Sequence, residues 1–109
     1  EYISLFPNIM IGLHIDHFYA FWLEPISSNE TKEHMAMYYV GDNSDNGKEY
    51  ESMRQENTRF WKDVMSEDIK AIEGMQEGRN SPIYNGGNFS PVMDNPTHQF
   101  HKWVAGNLI

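Results

Sequence analysis

No cysteine occurs among the 109 residues. That excludes disulfide bonds, Cys-ligated zinc, Cys-held iron–sulfur clusters and thiol nucleophiles. Basic residues are also scarce: 8 Lys and Arg stand against 16 Asp and Glu, a formal net charge of −8. So acidic a surface repels phosphate backbones and anionic lipid heads, so neither nucleic acid nor membrane is expected as a partner. No window approaches the roughly 18 uninterrupted apolar residues of a membrane span. The opening Glu1-Tyr2-Ile3-Ser4-Leu5 has no basic stretch ahead of its apolar run, so no secretory leader is expected. A cytoplasmic location is the simplest expectation.

What is present suffices for a folded domain. Apolar residues make up 39% and aromatics 14%, with 22% charged, a balance unlike that of disordered chains. The run Ile3 to Leu13 is β-leaning, with Pro7 demanding an edge position, a bulge or a break. His14-Ile15-Asp16-His17 reads as a tight polar turn, and Phe18 to Leu23 as the second arm of a hairpin ending at Pro25. After a turn at Ser27-Ser28-Asn29-Glu30, Thr31 to Val40 alternates, with Glu33, Met35, Met37 and Tyr39 on one face. Gly41 to Gly47 has loop composition. From Lys48 to about Gln76 the period becomes helical: Trp61, Val64 or Met65, Asp68, Ile72 and Met75 form one stripe. Ser66-Glu67-Asp68 could restart a helix, which would make this two helices with a kink. Gly78 is the expected stop. Asn80 to Asp94 is irregular, and a last helix is expected with Asn95 as cap and Pro96 at its first position. Phe100, Trp103, Val104 and Leu108 form its expected inner side. The sum is an α+β arrangement: about three antiparallel strands packed on a long helix, plus a C-terminal helix.

Asp68 breaks the pattern of its stripe. A carboxylate on the apolar side of a helix needs a cation, a set of donors or a proton. Periodicity alone leaves two readings level: a cap for backbone N–H groups after Ser66, or a functional ligand. His14, Asp16 and His17 superficially offer two imidazoles and a carboxylate, but strand alternation would send the two rings to opposite faces, and a turn would leave all three in water. His98 and His101 share a helix face at a metal-compatible spacing, without an accompanying carboxylate motif. The structural reading is favoured for both pairs, and His34 is uninformative. The seven methionines are read as core filler. There is no phosphate loop, no Gly-x-Ser-x-Gly and no calcium loop, since the acidic cluster Asp42, Asn43, Asp45, Asn46 lacks the required Glu.

Two ordered blocks carry a family resemblance. The first is Leu5-Phe6-Pro7-Asn8-Ile9-Met10-Ile11-Gly12, then Leu23-Glu24-Pro25 and Thr31. The second runs from Ser66-Glu67-Asp68 through Glu73, Gln76, Gly78-Arg79, Ser81-Pro82, Gly86-Gly87 and Phe89-Ser90-Pro91 to Thr97-His98-Gln99-Phe100-His101-Lys102-Trp103. Together they resemble the C-terminal half of the α subunit of Rieske ring-hydroxylating oxygenases. The resemblance implies a partial helix-grip fold and a mononuclear non-haem Fe(II) held by two His and one carboxylate, with Asp68 in the carboxylate position. None of the five His here matches a ligand His of the family. Those ligands, and the [2Fe–2S] Rieske cluster that a Cys-free chain cannot hold, are expected in upstream segments, with residues 1–109 a fragment of the catalytic domain. The resemblance also implies a reductase or ferredoxin electron donor, a small organic substrate and a homo-oligomer. Trp61, Val64 and Met65 are candidate substrate-wall residues, plain core packing being the alternative for each. A contrasting reading is a non-catalytic helix-grip module that binds a small ligand.

Overall fold

A computed structural model of the chain describes residues 1–44 and 47–108, with the side chains of Asp42 and Asn43 left aside. The loop and acidic-cluster expectations for Asp45 and Asn46 lie outside the described residues. The chain divides into two compact units: Glu1–Asp45 with Phe89–Ile109, and Asn46–Asn88.

The first unit is built on one antiparallel sheet of order β1-β2-β3-β4, comprising Tyr2–Leu5, Ile9–Leu13, His17–Ser27 and Glu30–Tyr39. There are four strands where three were expected. Pro7 takes the break: with no N–H to give to a ladder, it falls in the turn that folds the first apolar run on itself, pairing Leu5 with Ile9 and Tyr2 with Gly12. β2 pairs with β3 from Ile9↔Trp22 to Leu13↔Phe18, and β3 with β4 from His17↔Tyr39 to Ser27↔Glu30. Strand β3 runs past Pro25. Its β2 neighbour has ended by then, so the missing N–H costs no second ladder, and a register irregularity follows between Pro25 and Ser27.

Alternation and register place Tyr2, Met10, Gly12, His17, Tyr19, Phe21, Met35, Met37 and Tyr39 on one face. This is the buried face, since Gly12, His17 and Tyr19 are the buried residues of the sheet. The other face carries two stacked cross-strand pairs, Phe18–Tyr38 with centroids 4.6 Å apart and Trp22–His34 at 4.9 Å. His34 Nε2 also donates to Glu24 Oε2 at 2.6 Å. A short 3₁₀ turn, Gly41–Ser44, follows β4.

The long helix α1 spans Lys48–Arg79 without interruption. The expected restart at Ser66 does not occur. The Ser66 hydroxyl donates to the Lys62 carbonyl at 2.7 Å, a back-bond that spends it inside the helix rather than at a cap. Gly78 stands one residue before the end, and Asn80 closes the helix. The terminal helix α2 spans Asn95–Asn107, with Asp94 rather than Asn95 as its cap residue. The Asp94 carboxylate accepts from the Ser90 N–H at 2.7 Å, so it staples the preceding loop instead of the helix N–H groups. Phe100 and Trp103 lie 5.4 and 6.1 Å from Phe6, which joins α2 to the β1–β2 turn. Leu108, expected inside, falls beyond the helix and is exposed. The architecture is therefore α+β, with the elements of a partial helix-grip fold.

Candidate functional site

Each expected site residue lies on α1. Met53, Arg54, Asn57, Trp61, Val64 and Met65 are half-buried at helical spacing, and every α1 residue from Ser66 onward is exposed. The stripe is half-buried only as far as Met65. Asp68, expected on the inner side of the helix, is exposed, and so are its apolar neighbours at the following turns, Ile72 and Met75, at 53% and 56%. The exposure of Asp68 is thus that of the whole C-terminal face of α1, apolar residues included.

One of the two readings of Asp68 no longer stands. A cap acts on the free N–H groups of a first turn. Asp68 lies deep inside an unbroken 32-residue helix, where backbone N–H groups are already bonded within the helix. Its carboxylate makes no ion pair or hydrogen bond among the described residues. It is an exposed anionic oxygen donor on an unbroken helix, one turn from Val64 and Met65 and two turns from Trp61. That suits one ligand of a hard or borderline metal ion. Among the described residues no group of three or more His, Asp or Glu converges into a complete metal site. Trp61 meets Phe60 edge to face at 5.5 Å.

Of the histidine pairs, only His14 and His17 are placed differently from expectation. His98 and His101 flank Phe89, stacked at 4.7 Å and edge-on at 5.1 Å, as members of an aromatic cluster. His14 and His17 do not point to opposite faces. They are not consecutive positions of one strand but opposite members of a hairpin, with the His14 N–H donating to the His17 carbonyl at 2.9 Å. Cross-strand partners project to the same side, so the rings stack at 4.6 Å with 8° between their planes. Nor is the turn fully in water: His17 is buried, and its Nδ1–H donates to Asp16 Oδ1 at 2.7 Å. Burial, followed by the charge of His17 and of the Glu1 ammonium, lowers the pKa of His14 against the opposing pull of Asp16. The hydrogen bond from His17 is the main cause that lowers the Asp16 pKa.

Sequence reasoning also missed a cavity of about 220 Å³ in the first unit, between the β1–β2 turn and the start of α2. Phe6, Pro7, Ile9, Leu23, Pro96 and Phe100 are among its walls, and none of Trp61, Val64, Met65 or Asp68 lines it. The signal for it was Pro7, whose break was foreseen but whose hairpin was not. No helix is long and apolar enough to cross a membrane among the described residues.

No solved structure matches the chain significantly. A family model described as ring hydroxylating alpha subunit (catalytic domain) matches residues 1–108, in agreement with the two sequence blocks that pointed there. The chain belongs to the catalytic-domain family of ring-hydroxylating α subunits.

Proposed function

We propose that this chain is the part of a Rieske-type oxygenase catalytic domain that supplies the carboxylate iron ligand, Asp68, and a portion of the substrate wall from Trp61, Val64 and Met65. The observation that carries the reading is the unpartnered carboxylate on the α1 stripe, in a chain matched by the family over residues 1–108.

A mononuclear ferrous ion held by two imidazoles and one carboxylate on one side keeps coordination positions open for O₂ and substrate. Asp68 contributes a negative charge that offsets the charge of the metal, and the helix fixes its position without help from a loop. Trp61, Val64 and Met65, one to two turns nearer the helix start, present a wide indole and two aliphatic groups that exclude water and shape the space for an organic substrate. The two imidazoles, the Rieske cluster that delivers electrons, and the reductase or ferredoxin behind it come from outside this chain. The substrate is a small organic molecule that is hydroxylated once or twice, or demethylated, in a homo-oligomer. The 109-residue chain alone, with one ligand of three, is inactive.

The test uses the complete α subunit. Asp68→Ala is expected to abolish mononuclear iron retention and product formation while the visible spectrum of the [2Fe–2S] cluster persists. An Asp68→Ala enzyme with full iron content and undiminished turnover would overturn the assignment.

A further inference from the structure

We propose that Asn85 is a site of self-modification, at which the Gly86 backbone nitrogen displaces ammonia from the Asn85 carboxamide and leaves an aspartyl or isoaspartyl residue. Gly86 has no side chain to hinder the approach of its nitrogen to the carboxamide carbon. Its φ is +94°, a conformation that glycine adopts freely and other residues rarely do. The space around it is open, since a Cβ built on Gly86 would meet nothing within 4 Å.

Hydrogen bonding leaves both reacting groups available. Asn85 and Gly86 are exposed, and among the described residues neither takes part in a hydrogen bond. The chain is held before the site and after it, but not at it. Before it, the Tyr84 N–H donates to the Ser81 carbonyl at 3.0 Å and closes a turn. After it, Phe89 stacks on His98 at 4.7 Å and meets His101 edge-on at 5.1 Å. Asn80 and Asn57 show the contrast. Asn80 is followed by Ser81, whose N–H is engaged by the Gly78 carbonyl at 3.2 Å. Asn57 lies within α1, where the N–H of Thr58 is bonded inside the helix.

The chemistry needs only water. Hydroxide takes the Gly86 amide proton, and the nitrogen forms a bond to Asn85 Cγ. The Cγ–Nδ2 bond breaks, and Nδ2 leaves as ammonia after taking up a proton from water. Water then opens the imide ring. Opening at Cγ gives aspartate, and opening at the main-chain carbonyl gives isoaspartate, in which the backbone runs through Cβ and Cγ. No electrons are exchanged. Each event replaces a neutral amide with a carboxylate on a chain that already carries a net charge of −8. The isoaspartyl product also lengthens the main chain beside the point, between Asn88 and Phe89, where one compact unit gives way to the other in sequence.

Peptide-resolved mass spectrometry of the full chain tests this, with native chain and chain unfolded in guanidinium aged at the same pH and temperature. Native Asn85 is expected to convert within several-fold of its unfolded rate, faster as pH rises, to a mixture of aspartate and isoaspartate. Electron-transfer fragmentation distinguishes the two products. Folding should slow Asn80 far more than Asn85, because the Ser81 N–H is bonded. Resolving the peptides keeps Asn46, outside the described residues, apart from Asn85. Gly86→Ala, compared in guanidinium where folding plays no part, is expected to slow conversion several-fold. Folding that slows Asn85 as much as Asn80, a product free of isoaspartate, a rate that does not rise with pH, or an equal rate in Gly86→Ala would each overturn the assignment.

Discussion

The Tyr19 ring occupies the space beside Gly12, its direct cross-strand partner, where a side chain would stand. A Cβ placed on Gly12 would come within 2.3 Å of Tyr19 Cζ. Tyr19 is the most buried apolar side chain described, at 4% exposure. The core of the sheet is therefore organised around an absent side chain, and the absence cannot be filled without moving the ring.

Gly12→Ala should accordingly destabilise the first unit by about 1–3 kcal/mol, the usual cost of overpacking a filled site. Urea denaturation followed by tyrosine fluorescence measures it. An unchanged midpoint would mean that Tyr19 has a second rotamer of equal energy. The double variant Gly12→Ala with Tyr19→Ala should show non-additivity, because the two residues share one volume.

Asp68→Ala in the isolated chain should be neutral or stabilising by up to about 0.7 kcal/mol, the propensity gain of Ala over Asp inside a helix. Had Asp68 been a cap, its loss would cost about 0.5–2 kcal/mol instead. Thermal unfolding separates the two by sign. A stability-neutral residue that is indispensable to iron retention in the whole enzyme is the signature of a ligand rather than of a structural carboxylate.

Trp61→Ala, Val64→Ala and Met65→Ala in the whole enzyme should keep the mononuclear iron while raising KM or changing the product ratio, since each removes surface from the substrate wall and no ligand atom. Iron content by metal analysis and product ratio by chromatography check the prediction together. Loss of iron in parallel with activity would return these residues to plain core packing.

The pH dependence of stability should have two flanks. Asp16, its pKa lowered chiefly by the His17 hydrogen bond, contributes stability that is present above the ordinary value of 3.8 and is lost as pH falls through its folded value. Tyr19 is the opposite case: burial, with a smaller contribution from Tyr2, raises its pKa above 10.0. Its contribution is complete below 10.0 and is lost as pH rises through the folded value. Tyr19→Phe should flatten the alkaline flank alone, and Asp16→Asn the acid one, in denaturation midpoints measured across pH.

The isolated chain should also self-associate. Tyr2, Leu5, Phe60, Ile69, Ile72 and Met75 are among many large apolar residues at least 40% exposed, and apolar surface on that scale is rare on soluble monomers. Light scattering over a wide concentration range should show a rising mass, and a constant monomer mass would contradict it.

Local chemistry was enough to read much of this protein. Alternation announced the faces of β4, helical spacing announced α1, and Pro96 announced the start of α2, because these features depend on residues a few positions apart. The ordered blocks around Asp68 and Phe100 were enough to point to the family. What sequence could not decide was pairing across turns. Pro7 signalled a break, but only the register shows that the break makes a hairpin and a fourth strand. His14 and His17 were assigned opposite faces by counting along one strand, whereas tertiary structure places them across a turn, on one face and in contact. Ser66 could be a cap or a back-bonded interior residue, and only the continuity of α1 settles it, removing with it the cap reading of Asp68. In each case the deciding quantity is which backbone segment lies opposite, and that is set by the sum of many weak cross-strand and side-chain contacts rather than by any single stretch of residues.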